Sequence, residues 1–336
     1  MPALNANFPT LLDLAKRTDP DGGIAKVIEI LDNVNEFVAF MPFVEGNLPT
    51  GHLTTVRTGL PGVAWTGVNE GVTPTKSTTV QVTESTGILE AYGEVDDKLV
   101  KIAKDKSAFR LSEEKPQIES FAQEIARALI YENSVINPKR FTGLAPRFNS
   151  RSTAVAACAE NVIHGGGAGT DNTSIWLLVA GENTVHGLVP QGHTAGLEVT
   201  DKGKTTKETT GGVAGSLSEV WRTHYIQHAG LVVRDWRYVV RIANIDKSLL
   251  TPDAATGANL PRLIYQALNL VPNLSSGQPL LLMSRNTRTI LGQQVAEGTK
   301  SSSLTVDDVG GRMVTKFQGV PIARTDALAA DEALVP

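Results

Sequence analysis

The sequence predicts an α+β fold, in which helices and antiparallel strands occur in separate runs of the chain. Three observations favour this fold. In the threonine- and valine-rich region 50–97, Val80 and Val82 alternate with polar residues, which is strand periodicity. Residues 112–135 carry apolar side chains at helical spacing. The second half of the chain mixes short strands with short helices, and the sequence contains no internal repeat.

The region 50–97 predicts an extended hairpin. Its two strands, His52–Thr58 and Thr78–Val95, are separated by a segment rich in glycine and proline. The tip has too few apolar side chains to build a core of its own. We therefore expect the hairpin to be stabilised by a surface on which it lies, as a clasp between subunits would be.

The long helix predicted over residues 112–135 has recognisable boundaries. Ser112 is a suitable N-cap, Glu113 and Glu114 suit the positive end of the helix dipole, and Pro116 is tolerated in a first turn. The dipeptide Asn137-Pro138 ends the helix. Its apolar positions form one stripe, which predicts a single buried face.

Other segments complete the predicted fold. Residues 1–20 read as a mobile arm and residues 23–40 as an amphipathic helix. Residues 195–217 are rich in glycine, threonine and lysine, and they predict an exposed loop. The remaining predicted elements are a strand at Ile175–Ala180, alternating residues over 219–245, a helix at Pro261–Leu270, a buried strand at Pro279–Met283, a helix at Thr287–Val295 and a short strand at Gly319–Ile322.

Composition excludes several classes of protein. The chain has 336 residues, a net charge of −4, 41% hydrophobic and 20% charged residues, so it is not disordered by composition. The slight acidity argues against a dedicated nucleic-acid binder. No signal peptide or membrane-spanning run is visible, which predicts a soluble protein made in the cytoplasm. The single cysteine, Cys158, lies among small residues and is interpreted as a buried packing residue.

The motifs that would carry chemistry are incomplete. Gly203-Lys204-Thr205 ends like a phosphate-binding loop, but Glu198 occupies the position of the required first glycine. His224 and His228 have metalloprotease spacing without the glutamate that the motif requires, and they are interpreted as structural. Asp96-Asp97 is assigned to a strand, where adjacent carboxylates point to opposite faces. The sequence therefore predicts no catalytic residue, no cofactor and no metal site.

Three stretches of sequence, with the order of arm, hairpin, long helix and mixed domain, carry a resemblance across nearly the whole chain. The stretches are Phe121–Leu129 with Phe141–Phe148, Thr184–Pro190 followed by Gly230–Asp235 and Val240–Asp246, and Phe317–Leu328. In these features the chain resembles the major capsid proteins of tailed bacteriophages, which share the Hong Kong 97-type fold.

The resemblance implies a division into four parts. Residues 1–44 would be the N-terminal arm, and residues 45–92 would be the extended hairpin called the E-loop. Residues 93–150 would be a peripheral domain that contains the long spine helix. Residues 151–336 would be an axial domain with a return to the peripheral domain.

The resemblance also implies a function. A protein of this family self-assembles into hexamers and pentamers that close into an icosahedral head around double-stranded DNA. The implied partners are other copies of the chain, a portal protein, a decoration protein and DNA that is packaged without sequence preference, with no membrane. The short segment before the E-loop leads us to expect a separate scaffolding protein. The expected location is the virion, after assembly in the host cytoplasm, and the protein would not be an enzyme.

Two alternatives remain open at the level of sequence. An encapsulin-type nanocompartment shares the fold, and nucleic acid inside the shell would distinguish a phage head from it. A hydrolase with an unrecognised site belongs to another class, and a screen with common ester, phosphoester and peptide substrates would test it.

The hairpin tip supplies the candidate subunit interface: Trp65 with Val63, Val68 and Lys76. A large aromatic residue at a glycine-rich tip is poorly placed for an internal core and well suited to an interface. The alternative is that Trp65 folds back on its own subunit. Some family members cross-link an E-loop lysine to an asparagine; Lys76 is the only lysine of residues 45–92, and we predict no cross-link.

Overall fold

A computed structural model describes residues 36–208, 216–254, 257–298, 304–309 and 312–336. The chain forms two compact units. Among the described residues, the smaller unit contains Ile88–Ala126 and Gly196–His228, and the larger unit contains 36–87, 127–195 and 229–336. The arm predicted over 1–20 lies wholly outside the described residues. Of the amphipathic helix predicted over 23–40, only residues 36–40 are described, and Phe37–Phe40 of these are helical.

Helices and strands occur in the order that the sequence analysis expected. The helices are α1 (Phe37–Phe40), α2 (Asp97–Ile102), α3 (Lys106–Tyr131), α4 (Leu144–Arg147), α5 (Leu260–Leu270) and α6 (Arg285–Gly298). The strands are β1 (Phe43–Glu45), β2 (Gly51–Gly59), β3 (Thr78–Asp96), β4 (Val162–His164), β5 (Asn172–Ala180), β6 (Val185–Val189), β7 (Leu197–Glu208), β8 (Leu217–Val233), β9 (Val239–Asp246), β10 (Gln278–Met283), β11 (Leu304–Val309), β12 (Arg312–Phe317) and β13 (Val320–Arg324).

The smaller unit is built on an antiparallel ribbon. Strand β7 pairs with β8 from Leu197 opposite Gln227 to Glu208 opposite Leu217. The expectation of an exposed loop over 195–217 is therefore wrong for most of the segment. The side chains of β7 are exposed or half-buried along its whole length, so no apolar alternation marks it, and backbone pairing with β8 defines it instead.

Helix α3 begins earlier than the sequence predicted. The side chain of Asp105 accepts hydrogen bonds from the backbone N–H groups of Ser107 (3.1 Å) and Ala108 (3.0 Å), so Asp105 caps the helix. Ser112 instead donates its hydroxyl to the carbonyl of Phe109 at 2.8 Å. Pro116 then lies inside the helix and not in its first turn. The helix ends at Tyr131, four residues before the predicted boundary.

The assignment of Asp96-Asp97 to a strand is also wrong in part. Asp96 ends β3 and caps α2, with its carboxylate accepting from the N–H of Lys98 at 2.7 Å. Asp97 starts the helix and is bound by Lys101 at 2.6 Å and by the indole N–H of Trp221 at 3.0 Å. The hydrogen bond from Lys101 is the first cause that lowers the pKa of Asp97 to about 2. The pair therefore has a structural role.

The larger unit places its core between a sheet and two helices. Strand β5, buried at all nine positions, lies between β10 and β9 and is antiparallel to both. Strand β13 continues the sheet in parallel with β10. Ile175 and Leu281 of this sheet belong to one cluster with Ile264 of α5 and Leu291 of α6. The strands at 175–180 and 279–283 and the helices at 261–270 and 287–295 are thereby confirmed.

The turn between β12 and β13 and the burial of Cys158 bear on features that the sequence singled out. Gln318 and Gly319 both have positive φ angles, 49° and 83°, in the two-residue turn between β12 and β13. This geometry explains why a glycine stands there. Cys158 is half-buried and not buried, and its thiol lies 3.2 Å from the carbonyl of Arg147; burial raises the pKa of the thiol.

A buried ion pair connects the end of the chain to the central strands. Arg241 on β9 lies 2.8 Å from the carboxylate of Glu332, and both side chains are almost fully buried. Arg241 also donates to the hydroxyl of Ser174 at 3.1 Å and to the carbonyl of Phe148 at 2.9 Å. Tyr131 donates its hydroxyl to Glu332 at 2.5 Å. Burial and the Glu332 carboxylate raise the pKa of Tyr131 above its usual range.

We expect Glu332→Gln to destabilise the fold strongly. The substitution leaves the guanidinium of Arg241 buried without a compensating charge, which costs about 3–5 kcal/mol of the free energy of unfolding. Chemical denaturation of the full chain measures this loss. The control is Asp331→Asn, because Asp331 is exposed and its replacement should change the free energy by less than about 0.5 kcal/mol. Equal effects of the two substitutions would contradict the role of the pair.

Candidate assembly interface

The tip of the β2–β3 hairpin, residues 60–77, exposes a cluster of large apolar side chains. Trp65 is 104% exposed, Val63 97% and Val68 94%. Leu60, also exposed, adds to the cluster. Trp65 therefore does not fold back onto its own subunit. The side chains of Trp65, Val63, Val68 and Lys76, which the sequence singles out, are all exposed on the same tip.

Polar contacts close the tip locally. Glu70 accepts a hydrogen bond from the backbone N–H of Gly67 at 2.8 Å. Thr75 donates its hydroxyl to the carbonyl of Gly62 at 2.8 Å, across the two arms of the tip. These bonds define the path of the backbone without burying any of the apolar side chains. The tip is thus shaped, but its apolar surface has no cover within the described residues.

A bidentate ion pair fixes the root of the hairpin. Glu84 on β3 is buried, and its two carboxylate oxygens accept from Arg147 at 2.6 and 2.7 Å. Arg147 also donates to the carbonyls of Thr142 (3.1 Å) and Gly143 (3.2 Å), so its position is fixed on both sides. Fork-to-fork geometry of this kind gives directional as well as energetic specificity. These bonds fix β3 to α4 at the root of the hairpin.

Two buried histidines and a half-buried arginine form a second cluster at the root. His52 on β2 and His186 on β6 meet edge to face, with their ring centres 6.3 Å apart. Arg234 donates to Nε2 of His52 at 3.2 Å, which requires that nitrogen to be unprotonated. Burial first, and then the charge of Arg234, lowers the pKa of His186 to about 4. The pKa of His52 is also lowered by burial and Arg234, while Glu84 acts in the opposite direction.

The incomplete motifs of the sequence take part in structural contacts. His224 lies 2.7 Å from a carboxylate oxygen of Glu90 and stacks on Tyr92 at 4.5 Å. Lys204 of the Gly-Lys-Thr segment lies on β7, 3.1 Å from Asp97. Within the described residues, no cluster of three or more histidine, cysteine, aspartate or glutamate side chains could hold a metal ion. None of the helices in the described part has the length and apolar character needed to cross a bilayer.

Sequence reasoning found the tip and missed its root. The partners at the root, Glu84 with Arg147 and His52 with His186, are far apart in the chain, and no local pattern pairs them. Arg147 and His186 lie in stretches that carry the family resemblance, whereas no pattern singled out Glu84 or His52. The contact between Glu84 of β3 and Arg147 of α4 could not be inferred from residue spacing.

The histidine cluster predicts that acid destabilises the root. His186 has an ordinary pKa of 6.5 and a folded-state pKa of about 4. Between these values the unfolded chain binds a proton that the folded chain does not, so the free energy of unfolding falls as pH falls. We expect His186→Gln to flatten this part of the pH dependence of Tm between pH 6.5 and 4. His193→Gln, at an exposed histidine, is the control, and equal slopes in wild type and His186→Gln would exclude the role of His186.

Comparison with known proteins adds independent findings. The family model for major capsid protein GP7 matches residues 19–336. A chain of the near-atomic-resolution structure of bacteriophage Epsilon15 is 31% identical, with a TM-score of 0.80 over 100% of both chains. The capsid of bacteriophage JBD30 is 10% identical (TM-score 0.47, 97% and 96% coverage). The SrpI encapsulin of Synechococcus elongatus PCC 7942 is 11% identical (TM-score 0.41, 70% and 96% coverage).

These findings settle the family. No curated protein matches the sequence significantly. The family model nevertheless covers all but the first 18 residues, and the full-length match to the Epsilon15 chain confirms the predicted Hong Kong 97-type fold. Together they show that this protein belongs to the major capsid protein GP7 family and is a structural protein of phage capsids.

Proposed function

We propose that this capsid protein assembles into hexamers and pentamers that close into an icosahedral head around double-stranded DNA, and that the hairpin tip holds neighbouring subunits together. The observation that carries the proposal is the tip itself. Trp65, Val63 and Val68 are almost completely exposed on one loop. Several large apolar side chains left exposed on one loop are typical of an interaction site.

The energetics favour a neighbouring subunit as the cover of the tip. A buried aromatic side chain removes roughly 150–250 Å² from water, which is worth about 4–6 kcal/mol before ordering costs. The polar bonds that close the tip, from Thr75 to Gly62 and from Gly67 to Glu70, already order part of its backbone. Pre-ordering of this kind lowers the entropy lost on docking. Lys76, also exposed, is positioned to contact acidic groups of the same neighbour.

The type of contact accounts for a closed ring. A tip that reaches from one subunit onto a different surface of the next makes a head-to-tail contact, which generates a ring when the rotation closes. Each subunit then gives one tip and receives one.

The proposal divides the chain into four parts. Residues 1–44 form the arm, and residues 45–92 form the E-loop. Residues 93–150 form the peripheral domain with the spine helix, and residues 151–336 form the axial domain with a return to the peripheral domain.

The proposal includes further partners and a location. Scaffolding, portal and decoration proteins would act with the shell, which assembles in the host cytoplasm and remains in the virion. Packaged DNA would be held without sequence preference. The chain carries a net charge of −4, and a phage head must accept DNA of any sequence more than it must bind DNA tightly. The chain has no catalytic role in this proposal. Nuclease-protected duplex DNA in particles from infected cells would support the phage head, and particles filled with enzyme cargo would contradict it.

We expect Trp65→Ala to impair assembly without unfolding the subunit. Trp65 makes no buried contact with the described residues of its own chain, so far-UV circular dichroism and the Tm of the subunit should be nearly unchanged. A central interface aromatic contributes at least about 2 kcal/mol, so its loss weakens each contact roughly thirtyfold. Co-expression with the scaffolding protein, followed by sedimentation of the particles, should show a sharp fall in particle yield.

Two further variants make this test specific. Trp65→Phe keeps a large ring and should restore much of the particle yield. Val155→Ala, at an exposed position outside the hairpin, should leave the yield unchanged. If Trp65→Ala assembles normally, or if it unfolds the isolated subunit, the tip does not act as a clasp between subunits.

A further inference from the structure

The larger unit contains a cavity lined by three arginines. The cavity has a volume of about 450 Å³ and lies between α6 and the strands β12 and β13. Helix α6 contributes residues that share one face by their spacing, and β12 and β13 contribute the opposite wall. The lining residues are Arg285, Arg288, Thr289, Leu291, Gly292, Thr315, Ile322 and Arg324.

The residues that line the cavity carry only positive charge. Three guanidinium groups and two threonines face the space, and no carboxylate is among the lining residues. Two carboxylates lie next to it: Asp326 is 3.0 Å from Arg285, and Glu36 accepts from the backbone N–H of Arg324 at 3.0 Å. They offset part of the positive charge of the three lining guanidinium groups.

One arginine has an unmet hydrogen-bonding requirement. The Nε atom of Arg324 is buried and finds no acceptor among the described residues. A buried donor without an acceptor costs about 1–3 kcal/mol. Arg288, by contrast, donates to the hydroxyl of Thr315 at 2.5 Å. A bound anion would give the Nε–H group of Arg324 the acceptor that the protein itself does not supply.

We propose that this cavity binds a phosphate group. Planar guanidinium groups bind the oxygens of phosphate through paired hydrogen bonds, and threonine hydroxyls add donors. At position 292 a side chain would meet open space within 4 Å, so the glycine leaves room along the helix face. The cavity is within the range of small-molecule sites and larger than a single phosphate. The phosphate belongs either to a small soluble anion or to the backbone of DNA.

The first test measures thermal unfolding of the full chain in sodium phosphate at concentrations from zero to about 20 mM, a range that reaches weak binding. Sodium chloride holds the ionic strength constant. We expect a saturable rise in Tm of roughly 2 °C or more. Arg288→Gln should abolish the rise. Arg262→Gln, on the exposed side of the neighbouring helix α5, should retain it. This control separates site binding from the general stabilisation of folded proteins by phosphate salts.

A second arm identifies the source of the phosphate. A short DNA duplex is added at the same concentration of phosphate groups as the inorganic salt. A rise in Tm with inorganic phosphate assigns the site to a small anion, and a rise with the duplex alone assigns it to DNA; both must be lost in Arg288→Gln. If Arg288→Gln fails to fold, Arg285→Gln carries the test, because the side chain of Arg285 is 63% exposed. No rise with either probe, or equal rises in wild type and variants, overturns the proposal.

Discussion

The apolar tip of the hairpin must be removed from water, and the proposed assembly of this protein depends on that requirement. A single chain folds two compact units and leaves Trp65, Val63 and Val68 in solvent. Exposed apolar surface is unfavourable in water, and removing it from water is the main driving force of protein association. The described part of the larger unit offers the tip no cover. The described fold buries its own core and leaves the apolar side chains of the tip exposed, and we propose that a neighbouring copy covers them.

Ion pairs fix the root of the hairpin and the last residues of the chain within the larger unit. The bidentate pair of Glu84 and Arg147 fixes β3 of the hairpin to α4 within the larger unit. The ion pair of Arg241 and Glu332 connects the last residues of the chain to the sheet of the same unit. The Arg241–Glu332 pair is buried, whereas Arg147 of the other pair is half-buried, and a buried pair is sensitive to the loss of either partner. In the proposed assembly, the Glu84–Arg147 pair fixes the hairpin whose apolar tip contacts the neighbouring subunit.

The sequence predicted local elements well because their signals are local. Alternation at Val80 and Val82 revealed the hairpin, and apolar spacing revealed the long helix. Strand β7 was missed because both of its faces are polar, so that only pairing with β8 defines it. The helix start was misplaced because Ser112-Glu113-Glu114 is a stronger local signal than Asp105. The candidate interface residues followed from composition, whereas Arg147, His186 and Arg324 act through partners that only the fold brings near.

The central claim is that the hairpin tip docks on a neighbouring subunit. A cryo-EM reconstruction of assembled particles, at a resolution that shows side chains, tests it most directly. The account predicts that the indole of Trp65 is buried against residues of a second copy of the chain, together with Val63 and Val68. A reconstruction in which the Trp65 ring remains in solvent, or packs only on its own chain, would contradict it.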